Sequence, residues 1–198
     1  MKRVFKILGL FVLIGMMSFS TNVDKKVVVI DAAHGGNDLG AVADGVFEKD
    51  ITLRIAQLIK EFNENDDVEI VLLREDDKFL SIKDRLAMIN SLKPYLVISL
   101  HMNQSTEGGR KSGLQFVTSR KNHFIDQTNE FLKVLLDSRI DELGETVAKE
   151  GNFDILSKSN APAIMIEMGY IDNKDNREFI QSEEGSLRLA QMVLNIIK

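Results

Sequence analysis

Apolar residues recur along this chain in two rhythms, one of strands and one of helices. Residues 27–30 are three valines and an isoleucine in a row, which suits a strand buried on both faces, and the run ends in Asp31, Ala32, Ala33, His34, Gly35 and Gly36. Residues 37–47 carry Gly40 and Gly45 and no periodic apolar pattern, so they read as a loop. Ile51, Ile55, Leu58, Ile59 and Phe62 then fall on one face of a helix, with Glu48 and Asp50 at its start, where the helix dipole favours acids. A polar turn at 63–67 leads to a second strand at 68–73. Ser81 and Asp84 form a capping pair before a helix whose apolar face is Ile82, Leu86, Ile89 and Leu92; Pro94 stops it. A third apolar strand, 95–100, ends on His101. Strand, helix, strand, helix, strand is the order of a parallel sheet with helices packed on it.

The second half is less regular. Residues 104–112 read as a Gly- and Ser-containing loop, 114–118 as a further strand, 124–136 and 140–147 as helices, and 153–156 as a short edge strand. Another buried strand at 163–166 ends on Glu167, and Ala190, Val193, Leu194 and Ile197 mark a last helix. There is no internal repeat and no linker. The expectation is a single α/β domain over 27–198, with a mostly parallel central sheet flanked by helices on both faces.

Composition changes this picture at the amino end. Lys2, Arg3 and Lys6 precede an apolar run at 7–17, followed by Ser18, Phe19 and Ser20. That is a secretory signal, residues 1–20, cut near Ser20; an uncleaved anchor is the other reading, but the run is short for a membrane-spanning helix. With no cysteine, neither lipoprotein attachment nor a disulfide is available. Removing the leader's three bases leaves 22 basic against 30 acidic side chains, a net charge of −8. Such a domain has no long-range field to draw in nucleic acid or an anionic membrane, so neither is an expected partner, and no stable membrane insertion is expected once the leader is cut.

Three chemically capable residues, His34, His101 and Glu167, follow three apolar strands. In open parallel sheets ligands bind beyond the carboxyl ends of the strands, so these residues can converge although far apart in sequence. Histidines and carboxylates suit Zn2+, which in catalytic sites keeps three protein ligands and one position for water. Each residue alone has a plainer reading. A histidine at a strand end can be a structural hydrogen-bonding group, and Glu48 can be a solvated acid at a helix start. Glu167, directly behind Ile164, Met165 and Ile166, is either functional or part of a buried pair.

Taken together, IDAAHGGNDLGAV, EKDITLRIA, LREDDKFLSIKDRLAMIN, LVISLHMN and APAIMIEMGYIDN resemble the zinc-dependent N-acetylmuramoyl-L-alanine amidases of the amidase-3 family, in order and spacing, over nearly the whole of 27–198. The resemblance implies that His34, Glu48 and His101 bind zinc and that Glu167 is the catalytic acid/base. It implies hydrolysis of the amide between N-acetylmuramic acid and the L-alanine of the peptidoglycan stem peptide. Ala32 and Ala33 stand where the family usually has Pro-Gly, which questions the stiffness of that turn, and Met102 replaces an alanine, which could narrow the site. Some division amidases of the family carry a helix that plugs the zinc site; the short loop at 104–112 leaves no room for one, so no protein activator is expected.

Lesser candidates are Asp31, either an acceptor for a ligating imidazole or the partner of a base, and Arg74 and Arg85, read as structural partners. Arg110 and Lys111 are either holders of stem-peptide carboxylates or solvated loop charges, and His123 is read as a surface residue. Two other functions compete: a zinc peptidase acting on the stem peptide itself, and a wall-binding module without catalysis. The expected location is secreted, in a periplasm or cell wall, with peptidoglycan as partner.

Overall fold

A computed structural model describes residues 25–198; the signal read at 1–20 lies outside them. The first strand, β1 (Lys26–Ala32), runs into a loop holding a two-stranded hairpin, β2 (Val42–Ala43) and β3 (Val46–Phe47), and then helix α1 (Glu48–Glu61). There follow β4 (Val68–Leu72), α2 (Ile82–Leu92), β5 (Leu96–Asn103), β6 (Leu114–Thr118) and α3 (Ile125–Asp137). A 3-10 turn at Asp141–Leu143 precedes β7 (Thr146–Glu150), α4 (Asp154–Lys158), β8 (Ala163–Tyr170), α5 (Lys174–Gln181) and α6 (Glu183–Asn195). Six strands form one sheet in the order β4-β1-β5-β8-β6-β7. All neighbours are parallel except β6 and β8, which run antiparallel, so the mostly parallel sheet is as expected. No helix of the described residues is long and apolar enough to cross a membrane.

Strand alternation sorts the core into two layers. Val28, Ile30, Leu96, Ile98, Leu100, Ile164 and Ile166 face α1, α3, α5 and α6. Val29, Val97, Ala163 and Met165 face the short α2 and α4. Period two therefore puts Asp31, Ser99, His101 and Glu167 on the α2 and α4 side, at the carboxyl ends of the three central strands. It sends Met102 the other way, buried against the opposite helices, so Met102 does not narrow the site.

Three local expectations are overturned, and one helix had no expectation at all. Residues 140–147, read as a helix, are a 3-10 turn and the start of the edge strand β7. Residues 153–156, read as an edge strand, are the cap and first turn of α4. Helix α5, capped by Asn173, which accepts from the N–H of Asn176, was not anticipated in its polar sequence. His101 and Glu167 lie within β5 and β8 rather than beyond them, and are direct register partners. The Ser81 cap is as expected, its hydroxyl accepting from Asp84 N–H at 3.2 Å.

Candidate metal centre

The strand β1 ends in a sharp departure from the sheet. His34 adopts a left-handed backbone (φ 60°), an uncommon conformation for a side-chain-bearing residue, and Gly35 and Gly36 follow at positive φ. No side chain fits at these glycines: a Cβ on Gly35 would lie 2.2 Å from the Lys78 carbonyl oxygen, and one on Gly36 would lie 2.9 Å from Phe79 N. The turn is pinned from outside. Arg85 donates to the carbonyls of Ala32 (2.9 Å) and His34 (2.6 Å), and Arg74 to those of Ala32 (2.8 Å) and Ala33 (2.9 Å). Lys49 and Asp77, which sequence reasoning passed over among many surface charges, bond each other at 2.6 Å and hold both backbone groups of Gly36. The stiffness that Pro-Gly would supply comes here from these side chains.

Asp31 does not support an imidazole. It is buried, pairs with the buried Arg85 guanidinium and accepts from Ser99 Oγ at 2.9 Å, so the reading of a base's partner holds and that of a histidine's acceptor fails. Arg74 and Arg85 are the structural partners they were read to be.

Glu48 is the first residue of α1 and is 3% exposed, which removes the reading of a solvated acid. Ala33 N–H bonds the Leu100 carbonyl, so β5 next presents Met102 N–H on the same edge, where β1 has already turned away. Glu48 Oε1 takes the missing strand's place and accepts that N–H at 2.9 Å; Oε2 accepts Ala41 N–H at 2.8 Å. Each oxygen also meets an imidazole, Oε1 to His101 Nδ1 at 3.0 Å and Oε2 to His34 Nε2 at 3.1 Å. Burial works against charge on this carboxyl, but the hydrogen bonds from His101 and His34 outweigh it and hold Glu48 well below the usual carboxylate range.

One donor atom from each of His34, Glu48 and His101 lies within 4.8 Å of the others. Donors about 2.0–2.1 Å from a tetrahedral zinc ion stand about 3.3 Å apart, so a slight contraction of this cluster would seat one. Nδ1 of His34 is buried and without an aligned hydrogen bond, although Asp38 Oδ2 lies 2.9 Å away. Gly40 leaves room for the cluster, since a Cβ there would meet Glu48 Oε2 and His34 Cδ2, each at 2.6 Å. Two nitrogens and a carboxylate oxygen, with a backbone-anchored acid between them, form a donor set that fits zinc.

Glu167 lies across from His101 in the neighbouring strand. Burial raises its pKa, His101 pulls the other way, and the Glu48 charge adds to the rise. A cavity of about 490 Å³ opens beside His34 and His101, with Met165 among its walls. Arg110 and Lys111 do not line it. Both are exposed, and Lys111 pairs with Glu107 at 3.0 Å. His123 is exposed, as read.

A family model described as N-acetylmuramoyl-L-alanine amidase matches residues 28–198. Among characterised sequences, the endolysin of Bacillus phage SPP1 is 34% identical over 186 residues, covering 87% of this chain and 68% of that protein. Among solved structures, an N-acetylmuramoyl-L-alanine amidase from Clostridium difficile 630 superposes with a TM-score of 0.80 at 27% identity, over 87% of this chain and 95% of that one. The catalytic domain of CwlV, an amidase from Bacillus (Paenibacillus) polymyxa, gives 0.78 at 30% identity, over 87% and 96%.

Proposed function

The chain belongs to the N-acetylmuramoyl-L-alanine amidase family, and from that premise we propose that His34, Glu48 and His101 hold a zinc ion and that Glu167 moves the proton in peptidoglycan amide hydrolysis. The bond cut is the one between the lactyl group of N-acetylmuramic acid and the L-alanine of the stem peptide. The observation that carries this reading is the convergence of the three donor atoms within 4.8 Å of one another, next to the half-buried Glu167 carboxyl in the adjoining strand.

When bound, zinc supplies a Lewis acid that polarises the amide carbonyl and lowers the pKa of water. The protein's own groups do the rest. Glu48 stays anionic between two backbone N–H donors and so brings negative charge to a site with two neutral imidazoles. Glu167 takes a proton from the attacking water and returns it to the departing alanine nitrogen, a task for which a raised pKa is suited, because it brings the carboxyl nearer the working pH. Neither serine nor cysteine is needed as a nucleophile.

The substrate places the enzyme's work outside the cytoplasm, in keeping with an export signal at 1–20. Residues 104–113 link β5 and β6 without a helix, which supports an open site that acts without an activator.

The test is digestion of purified peptidoglycan by the zinc-loaded protein alone, with mass spectrometry of the products. Peptides with a free L-alanine amino group and a bare glycan are expected, and chelation stops their release. Products cut within the stem peptide would instead establish the peptidase reading. Glu167→Gln is expected to lower kcat by roughly 10²–10⁴-fold while bound zinc stays unchanged, and full activity in that variant would remove the assigned role.

A further inference from the structure

Three large apolar side chains stand half exposed around the cavity beside His34 and His101: Phe79 (52%), Ile82 (49%) and Phe153 (46%). They come from two sides, Phe79 from the loop two residues before the Ser81 cap of α2, Ile82 from the first position of α2, and Phe153 from the cap of α4. Both aromatics are seated on glycine. The Phe153 ring lies against Gly151, where an added Cβ would meet ring carbons at 2.7 and 2.8 Å, and the Phe79 backbone rests on Gly36. An apolar wall held this firmly beside a catalytic centre is a ligand surface.

The charges around it choose the ligand. The ionisable groups of the wall, beyond the histidines, are Asp31, Asp38, Asp154 and Arg85. Arg85 is the one cation among them, and its guanidinium is committed to Asp31 and to the carbonyls of Ala32 and His34. Asp154 is likewise committed, to Lys158 at 2.8 Å, so the wall offers no free base to a stem peptide rich in carboxylates. A glycan strand suits the cleft better: its N-acetylhexosamine rings are neutral, each presents a face of C–H groups to an aromatic ring, and the muramic carboxyl is spent in the scissile amide.

We infer that Phe79 and Phe153 form a glycan subsite that grips a neutral N-acetylated sugar ring next to the scissile amide, and so set specificity on the sugar side of the bond. This rests on the amidase reading, because only that reaction puts a sugar at the metal.

The test uses the purified protein and a peptide-free β-1,4-linked N-acetylglucosamine tetramer as probe, read by titration calorimetry, so it does not depend on turnover. Binding is expected in the wild type, weakened roughly three- to tenfold in Phe79→Ala and in Phe153→Ala, kept in Phe153→Tyr, and unchanged in Phe62→Ala, an exposed aromatic away from the cleft. With peptidoglycan, the two alanine variants should raise KM and leave kcat near the wild-type value. Equal sugar binding by the wild type and both alanine variants would overturn the inference. So would a loss of affinity for the free stem peptide in place of the sugar. If the wild type bound the tetramer as described yet released no alanine-ended peptides, the amidase reading would fall and the sugar cleft would stand.

Discussion

At the scale of single residues, the centre depends on which group holds a proton. Burial works to lower the His34 pKa, but the contact with the Glu48 carboxylate and the negative charge of Asp38 close to Nδ1 outweigh it and hold the imidazole above its ordinary 6.5. That proton must leave before the ring can ligate, so zinc affinity should be full above the raised pKa and fall as pH drops through it, by up to about tenfold per pH unit for each proton displaced. Calorimetric titrations with zinc across pH 5–8 check this, with the fall expected to begin above pH 6.5. Without metal the sign reverses: a raised folded pKa stabilises fully below the unfolded value and is lost as pH rises through the folded one. Gly40 is the other sensitive residue. Gly40→Ala places a methyl 2.6 Å from both Glu48 and His34 on a left-handed backbone, and about 10–100-fold weaker zinc binding is expected by the same titration.

At the scale of elements, the loop that carries His34 is held by α2 through one buried ion pair. Arg85→Ala would leave Asp31 charged, buried and short of a partner, and would free the carbonyls of Ala32 and His34. About 3–5 kcal/mol of stability should be lost, measured by urea unfolding, and Asp31→Asn in the same chain should recover part of it. The elements legible in the sequence were those with a continuous apolar run or a sustained apolar period: β1, α1, β4, α2, β5, β6, α3, β8 and α6. The four residues from Phe153 suit a strand or a helix equally, and only packing of Ile155 and Leu156 against β8 decides for a helix. Thr146–Glu150 is an exposed edge whose strand character comes from pairing with β6, which local sequence does not encode. In α5 the fold is carried by the Asn173 cap and the burial of Ile180, with little apolar periodicity to read.

At the scale of the whole molecule, strand order does what no local motif could. His34, His101 and Glu167 meet because β1, β5 and β8 are adjacent and parallel, so three carboxyl ends share one rim. The candidates were legible one by one as polar residues behind apolar runs. Glu48 was not legible in that way, since it begins a helix and joins the site by replacing a missing strand partner; only the family resemblance marked it. The aromatic cleft was hidden too, because Phe79 and Phe153 are 74 positions apart and have no shared pattern.

The parallel sheet has one more consequence, at the rim opposite His34 and His101. Lys26 N–H bonds the Asp67 carbonyl, and Asn65 Nδ2 bonds the Ile197 carbonyl, so both ends of the described chain lie beside the same 63–67 turn. Seven strand residues, roughly 23 Å, separate that turn from the catalytic rim. A resin, a surface or a second domain joined directly at Lys25 or at Lys198 therefore sits behind the described residues, and immobilisation there leaves the cavity facing outward.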